Sequence, residues 1–245
     1  MLTLTSVRAE SDEAQAFPFR MGDQLQMKNI SVVFDWDGTL ADTDFLIDAA
    51  IEYVLGRRGA AALLDDVAPI MYRARQEGLL LRSIRIPVDQ RREIITEIGD
   101  TFKRLDREAA LFEGARELLH ELGNAGVPIG IVTGRDRASW TAQVSRLLPE
   151  VRFDASICRH ESALKPDPHG LRKVQDVLGV EQIIYVGNTV ADLECAEAAN
   201  AHFIAVNVCT RAREPLIQRD DVVARQTFHQ IRADIHQLIE TMERM

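Results

Sequence analysis

Two aspartates separated by a single residue, Asp35 and Asp37, are the residues whose type and spacing most directly suggest chemistry. They follow residues 30–34, an apolar run with the β-branched and aromatic character of a strand covered on both faces. Ligands of open α/β sheets bind at the carboxyl ends of strands, which is where these acids stand. Because neighbouring carboxylates repel each other unless a cation or a shared proton intervenes, the pair predicts a magnesium site or an acid/base dyad. The alternative is a polar strand end that turns at Gly38.

Residues 35–40, Asp-Trp-Asp-Gly-Thr-Leu, resemble the first motif of the haloacid dehalogenase superfamily, whose phosphatases use an aspartate as nucleophile. The resemblance implies a hydroxyl after a second strand, and Thr133 follows the strand-like residues 127–132. It also implies a cation, which Lys165 supplies within the Leu-Lys-Pro-Asp-Pro string of residues 164–168. The two prolines disfavour helix there, so we expect this lysine on a loop or a first helical turn, from which it can reach a shared anion.

The fourth implied motif follows a strand-like run that ends at Gly187, and it consists of Asn188 and Asp192. The superfamily usually has an acid directly after this glycine and a second acid four residues later. An amide oxygen can ligate a hard cation but adds no negative charge, so Asn188 predicts weaker metal binding than a carboxylate would give.

The resemblance implies that Asp35 attacks phosphorus and forms an aspartyl-phosphate, while Asp37 protonates the leaving oxygen and then activates water. Thr133 and Lys165 would stabilise the charge of the transferred phosphoryl group. The implied phosphate-binding set is Gly38, Thr39, Thr133, Gly134, Arg135 and Lys165, and the implied Mg²⁺-binding set is Asp35, Asp37, Asn188 and Asp192.

The acid at Asp37 favours phosphoryl chemistry within the superfamily, and the resemblance implies a magnesium-dependent phosphohydrolase acting on a small phosphate monoester, similar to phosphoglycolate phosphatases. The dehalogenase branch departs from this pattern, because its leaving halide needs no proton. A phosphomutase or phosphonatase remains an alternative, since each shares the core motifs. A catalytically weak homologue that binds a phosphorylated ligand or a protein is a second hypothesis, suggested by Asn188.

Strands and helices are predicted to alternate along most of the chain. Strand-like runs recur near residues 30–35, 128–132, 153–158, 182–187 and 202–208. Helical patterns separate most of them, which predicts an α/β fold: a Rossmann-like, doubly wound, mostly parallel sheet with helices on both faces. The tail over residues 213–245 has an apolar stripe at helical spacing, which favours a helix packed on its own domain.

The interval between Asp44 and Phe112 has no convincing strand, and its apolar residues recur with helical period. An insertion here resembles the helical cap of the phosphoglycolate-phosphatase-like branch of the superfamily, and such caps exclude water and contact substrate. We expect a cap over residues 45–111, an α/β core over residues 29–44 and 112–245, and a flexible extension over residues 1–28. The cap arginines that could contact an anionic substrate are Arg73, Arg75, Arg82, Arg85, Arg91 and Arg92.

The composition is that of a globular protein, with 245 residues, 46% of them hydrophobic, and a net charge of -9. The acidic balance argues against broad binding to nucleic acid or to anionic membranes. No apolar run approaches the roughly 20 residues that span a bilayer. The three scattered cysteines and the absence of a secretory layout predict a cytoplasmic protein. The only partner predicted is a small phosphorylated substrate.

Overall fold

A computed structural model describes residues 29–59, 88–208 and 222–244 of the chain. The extension predicted for residues 1–28 and the cap arginines from Arg73 to Arg85 lie outside these ranges. The strands are β1 (Ile30–Phe34), β2 (Ala41–Asp42), β3 (Ala110–Leu111), β4 (Ile129–Val132), β5 (Ala155–Ile157), β6 (Gln182–Gly187) and β7 (His202–Ala205). The helices are α1 (Asp44–Arg57), α2 (Val88–Leu105), α3 (Ala115–Asn124), α4 (Arg137–Leu147), α5 (His169–Leu178), α6 (Val190–Ala199) and α7 (Phe228–Glu243).

Five of the described strands form one parallel sheet in the order β5-β4-β1-β6-β7. The central strand β1 is buried along its whole length, because helices cover both faces of the sheet. Val32 and Phe34 pack on the side of α3 and α7, whereas Val33 packs on the side of α5 and α6. This two-sided burial explains why the strand is a continuous apolar run rather than an alternating one. The predicted α/β fold with a mostly parallel, doubly wound sheet is confirmed.

The inserted segment begins with α1 and ends with α2, and these two helices pack against each other. Their contact buries Ile51 and Leu55 of α1 and Ile94 and Ile98 of α2. After α2, residues Asp106–Glu108 form a single 3-10 turn that leads the chain back to the sheet.

A short antiparallel ladder joins the two ends of the insertion. Ala41 of β2 pairs with Leu111 of β3, so the chain leaves the core and returns to it at the same point. The expectation that no strand occurs between Asp44 and Phe112 was wrong at Ala110–Leu111. Two residues are too few to produce a period in the sequence, and their pairing depends on a partner about 70 positions away.

The C-terminal helix α7 belongs to the core. Its residues Phe228, Ile231, Ile235 and Ile239 are buried in the cluster that also contains Phe34 of β1. The prediction that this apolar stripe packs on its own domain is confirmed. Within the described ranges, none of the helices has both the length and the apolarity needed to cross a membrane.

We expect Ile235→Ala to lower the free energy of unfolding by about 2–5 kcal/mol, because it removes a fully buried side chain and leaves a cavity. Urea unfolding followed by circular dichroism measures the change. Val177→Ala on α5 is the control, since its side chain is 62% exposed and the substitution should change stability by about 0.5 kcal/mol or less. Equal effects of the two substitutions would show that α7 does not stabilise the core.

Candidate active site

The site lies where the carboxyl ends of three neighbouring strands meet. Phe34, the last residue of β1, pairs with Ile131 of β4 on one side and with Val186 of β6 on the other. The backbone N–H of Asp35 donates to the carbonyl of Val186 at 2.9 Å, which fixes this residue just beyond the sheet. The register therefore brings the ends of all three strands, and the residues that follow them, to one edge.

Lys165 connects three of the predicted motifs. Its Nζ donates to Oδ1 of Asp35 at 2.7 Å and to Oδ1 of Asp192 at 2.6 Å. It also lies 3.4 Å from the carbonyl oxygen of Val132, the residue before Thr133. The side chains of Asp35 and Asp192 are 7% and 0% exposed and that of Lys165 is 15% exposed, so a largely buried cation lies between two buried carboxylates.

Asp192 is held by the first turn of α6. Its Oδ2 accepts from the backbone N–H of Thr189 at 3.0 Å and from the Thr189 hydroxyl at 2.5 Å, which completes a capping box. Gly187 makes this arrangement possible, because a Cβ there would lie only 2.6 Å from the Cβ of Asp192. The glycine is thus required for close approach rather than for an unusual backbone angle.

Tyr185 is a member of the site that sequence reasoning missed. Its hydroxyl donates to Oδ1 of Asp192 at 2.7 Å and accepts from Nζ of Lys165 at 3.2 Å. The signal that could have revealed it is the strand period, since Tyr185 and Gly187 are two residues apart on β6 and share one face.

The charges of this group depend on burial and on one another. Burial raises the pKa of Asp35 to about 7; the charge of Lys165 opposes this rise, and the carboxylates of Asp192 and Asp37 add to it. Burial would lower the pKa of Lys165, but the two bound carboxylates outweigh it and raise that pKa. For Asp192 the cost of burial is outweighed by Lys165, so its pKa is lowered. Lys165 is therefore a fixed positive charge, and Asp192 is a fixed negative one.

Asp37 belongs to a second ionic group beside the first. Its Oδ1 accepts from Nη2 of Arg135 at 2.6 Å, from Nε of Arg135 at 2.9 Å and from the hydroxyl of Thr43 at 2.6 Å. Thr43 is the N-cap residue of α1, yet its hydroxyl donates to Asp37 rather than accepting from the helix. Arg135 also pairs with Asp106, which sequence reasoning did not single out.

The structure places the predicted phosphate-binding residues around the same edge, with different contacts. Thr133 is buried, and its hydroxyl oxygen accepts from the backbone N–H of Arg135 at 3.2 Å, which leaves the hydroxyl proton available to an oxygen ligand. The Thr39 hydroxyl donates to the amide oxygen of Asn188 at 3.3 Å. Gly38 has a positive φ of 74°, and its N–H donates to the carbonyl of Ala41. Space is open beside Gly134, where a Cβ would meet no atom within 4 Å.

The predicted metal ligands Asp35, Asp37, Asn188 and Asp192 all carry side-chain oxygen atoms of the kind that hard cations bind. Among the described residues, Lys165 donates to Oδ1 of Asp35, and the Thr39 hydroxyl donates to the amide oxygen of Asn188 at 3.3 Å. The side-chain oxygens of Asp37 and Asp192 are directed to Arg135, Lys165 and neighbouring hydroxyls. In the described ranges, no three His, Cys, Asp or Glu side chains are grouped as a metal site.

The charge of the site favours an added divalent cation. Among the described residues, the ion pairs of the site join the four acidic side chains of Asp35, Asp37, Asp106 and Asp192 to the two cations of Lys165 and Arg135. With all four acids ionised, these described groups carry two more negative charges than positive ones. Oxygen ligands of this kind fit Mg²⁺, which keeps several waters and needs only one or two protein ligands.

Comparison with known proteins agrees with this geometry. Residues 32–206 match the family described as haloacid dehalogenase-like hydrolase, which is well over half of the chain. The chain belongs to the haloacid dehalogenase-like hydrolase family. The predicted family and the prediction of an enzyme of the hydrolase class are therefore confirmed.

Several members of this family resemble the chain over most of its length. A phosphoglycolate phosphatase of Xanthomonas campestris is 28% identical over 207 residues, covering 80% of this chain and 92% of the relative. An N-acetylmuramic acid 6-phosphate phosphatase of Pseudomonas putida is 27% identical over 190 residues, covering 74% and 83%. The crystal structure of a haloacid dehalogenase hydrolase from Entamoeba histolytica has the same fold, with a TM-score of 0.71, 22% identity and coverage of 86% and 99%.

Gly187→Ala should lower the free energy of unfolding by about 1–3 kcal/mol, because the new Cβ overlaps the Asp192 side chain and displaces it from Lys165. Chemical denaturation measures the loss. The matched control is Gly123→Ala on α3, where a Cβ would meet no atom within 4 Å, so stability should be unchanged or slightly higher. If the two variants are equally stable, the close contact between Gly187 and Asp192 is not a structural requirement.

Proposed function

We propose that this protein is a magnesium-dependent phosphohydrolase that cleaves a small phosphate monoester through an aspartyl-phosphate at Asp35. The observation that carries the proposal is the 2.7 Å contact between Nζ of Lys165 and Oδ1 of Asp35 at the edge where the predicted motifs meet. Relatives named as phosphatases of phosphoglycolate and of N-acetylmuramic acid 6-phosphate support it. Because these relatives take different phosphate esters at similar identity, we leave the substrate at the level of this class.

In the first step, a carboxylate oxygen of Asp35 attacks phosphorus, and the bond between phosphorus and the ester oxygen breaks. Asp37, in its protonated form, gives its proton to the departing oxygen. Lys165 and the Thr133 hydroxyl bind the non-reacting phosphoryl oxygens and stabilise their charge in a water-poor site. Asp192 and Tyr185 act indirectly, because their hydrogen bonds to Lys165 hold the lysine in place.

In the second step, Asp37 takes a proton from a water molecule, whose oxygen attacks the phosphorus of the aspartyl-phosphate. The acyl phosphate bond breaks, inorganic phosphate leaves and the Asp35 carboxylate is regenerated. Asp35 and Asn188 would hold the Mg²⁺, whose charge would offset the repulsion between the phosphoryl group and the surrounding carboxylates.

The proposal includes the cellular location of the protein, which we place in the cytoplasm. Cys158 and Cys195 are buried free thiols, and burial raises their pKa values to about 11 and about 12, which favours the thiol over the thiolate form. Such cysteines support the proposed cytoplasmic location, where thiols stay reduced.

Asp35→Asn should abolish phosphate release from a panel of phosphate monoesters assayed with Mg²⁺, because an amide is not a nucleophile here. Its circular dichroism spectrum should match that of the wild-type protein. Asp176→Asn, an exposed aspartate on α5, serves as the control and should retain full activity. Phosphate release by Asp35→Asn at the wild-type rate would refute the proposal, as would a wild-type protein that releases phosphate from none of the esters.

Asn188→Asp should tighten Mg²⁺ binding by about tenfold, because it adds a negative ligand of the same shape that can still accept the Thr39 hydrogen bond. Isothermal titration calorimetry with Mg²⁺ alone measures this without requiring turnover. Asn124→Asp, at the exposed end of α3, adds the same charge away from the carboxyl ends of the strands and should leave the affinity unchanged. Unchanged or weaker affinity in Asn188→Asp would remove Asn188 from the proposed metal site.

A further inference from the structure

We propose that Arg135 is a positioning residue that couples Asp37 to the end of the inserted helical segment, rather than a ligand of the phosphate. This inference rests on the proposed function, because it assigns Arg135 to the group expected to protonate the leaving oxygen. It departs from the prediction made for Arg135 from sequence, which placed it among the phosphate ligands.

The guanidinium of Arg135 has no donor left for a phosphate. Its Nε and Nη2 donate to the Asp37 carboxylate, with the shortest contact at 2.6 Å. Its Nη1 and Nη2 donate to Asp106 at 2.8 and 2.7 Å, and Nη1 also reaches the Ser139 hydroxyl at 3.0 Å. The side chain is only 5% exposed, so both edges of the planar group are occupied inside the protein.

The second partner of Arg135 comes from the inserted segment. Asp106 opens the 3-10 turn that directly follows α2. Phe102, on the last turns of α2, places its ring 5.6 Å from the guanidinium carbon of Arg135, a cation–π distance. The guanidinium therefore lies between a core carboxylate on one edge and the end of α2 on the other.

Asp106 is itself held by the core. Its Oδ1 accepts from Nε2 of Gln143 at 2.7 Å, and the Gln143 amide oxygen accepts from the indole N–H of Trp36 at 2.5 Å. Trp36 stands between Asp35 and Asp37 in the chain and is fully buried. The contacts thus form a chain of hydrogen bonds from Asp37 to Trp36, and the backbone between these two neighbouring residues closes it into a ring.

This ring has a consequence for the chemistry. A general acid acts only when its carboxyl group faces the leaving oxygen. Arg135 sets the plane of the Asp37 carboxylate, and Asp106 and Phe102 set the plane of Arg135. The end of α2 therefore determines how Asp37 is presented to the substrate, although neither Asp106 nor Phe102 belongs to the reacting groups.

The test compares two esters that differ in their need for a proton. The leaving group of an alkyl phosphate such as ethyl phosphate is an alkoxide, which is a poor leaving group and needs a proton from the acid. The leaving group of 4-nitrophenyl phosphate is a stable phenolate, which needs no proton. For Asp106→Asn and Arg135→Lys, kcat/KM for ethyl phosphate should fall by about tenfold or more relative to wild type, and kcat/KM for 4-nitrophenyl phosphate by about threefold at most. Phe102→Leu should shift the ratio in the same direction by a smaller factor, and it provides a variant that keeps both ion pairs.

Two reference variants separate the possible outcomes. Arg137→Lys is the matched control, because Arg137 also pairs with a carboxylate, Glu161, and lies 5.2 Å from an aromatic ring, that of Trp140. It should leave the ratio of the two kcat/KM values unchanged. Asp37→Asn should show the largest selective loss for ethyl phosphate.

Each pattern of results is decisive. If Asp37→Asn is selective but Asp106→Asn and Arg135→Lys slow both esters equally, the coupling is refuted and the proposed function stands. If Asp37→Asn also slows both esters equally, the acid role of Asp37 is lost and the inference falls with it. Thermal unfolding of every variant identifies any that lose activity by failing to fold, and the remaining variants then decide the question.

Discussion

The structure depends on one largely buried ammonium group, that of Lys165, held between the carboxylates of Asp35 and Asp192. Removing three charges from water is costly unless their geometry is good and their other hydrogen bonds are satisfied. Here each partner is fixed by a different element: Asp35 by the end of β1, Asp192 by the capping box of α6, and Lys165 by its own loop with help from Tyr185. The same contact ties together segments that are 130 and 27 positions apart in the chain.

The parallel sheet is what allows two ionic groups to stand side by side. Asp35 follows β1 and faces Lys165, whereas Asp37, two residues later, faces Arg135 from the loop after β4. Trp36 separates them, because its ring packs against Trp140 and Phe153 in the core. One aspartate is thus paired with a lysine and its neighbour with an arginine, an arrangement that suits two different roles.

Much of the fold could be predicted from the sequence because its signals are local. The strand of residues 30–34 is apolar throughout since both faces are covered, and the stripe of α7 has a regular period. The ladder of β2 and β3 could not be predicted, because two-residue strands have no period and pair over a long separation.

The residues of the site likewise fall into those that local sequence motifs predict and those whose roles depend on tertiary contacts. Asp35 and Lys165 stand in strings that resemble known motifs, and the structure brings these residues together. Asp106 and Tyr185 gave no such signal, because their roles arise from tertiary contacts with Arg135 and Asp192. For Arg135, the resemblance implied a phosphate partner, but only the structure shows that its partners are carboxylates of the protein itself.

The most direct measurement is chemical trapping of the covalent intermediate. The protein is mixed with Mg²⁺ and a phosphate monoester that it hydrolyses, quenched in acid during turnover, and reduced with borohydride, which converts an aspartyl-phosphate to homoserine. Mass spectrometry of the peptides should then find homoserine at position 35 and at no other aspartate. Turnover that leaves Asp35 unmodified while homoserine is found at another aspartate would contradict the assignment of Asp35 as nucleophile.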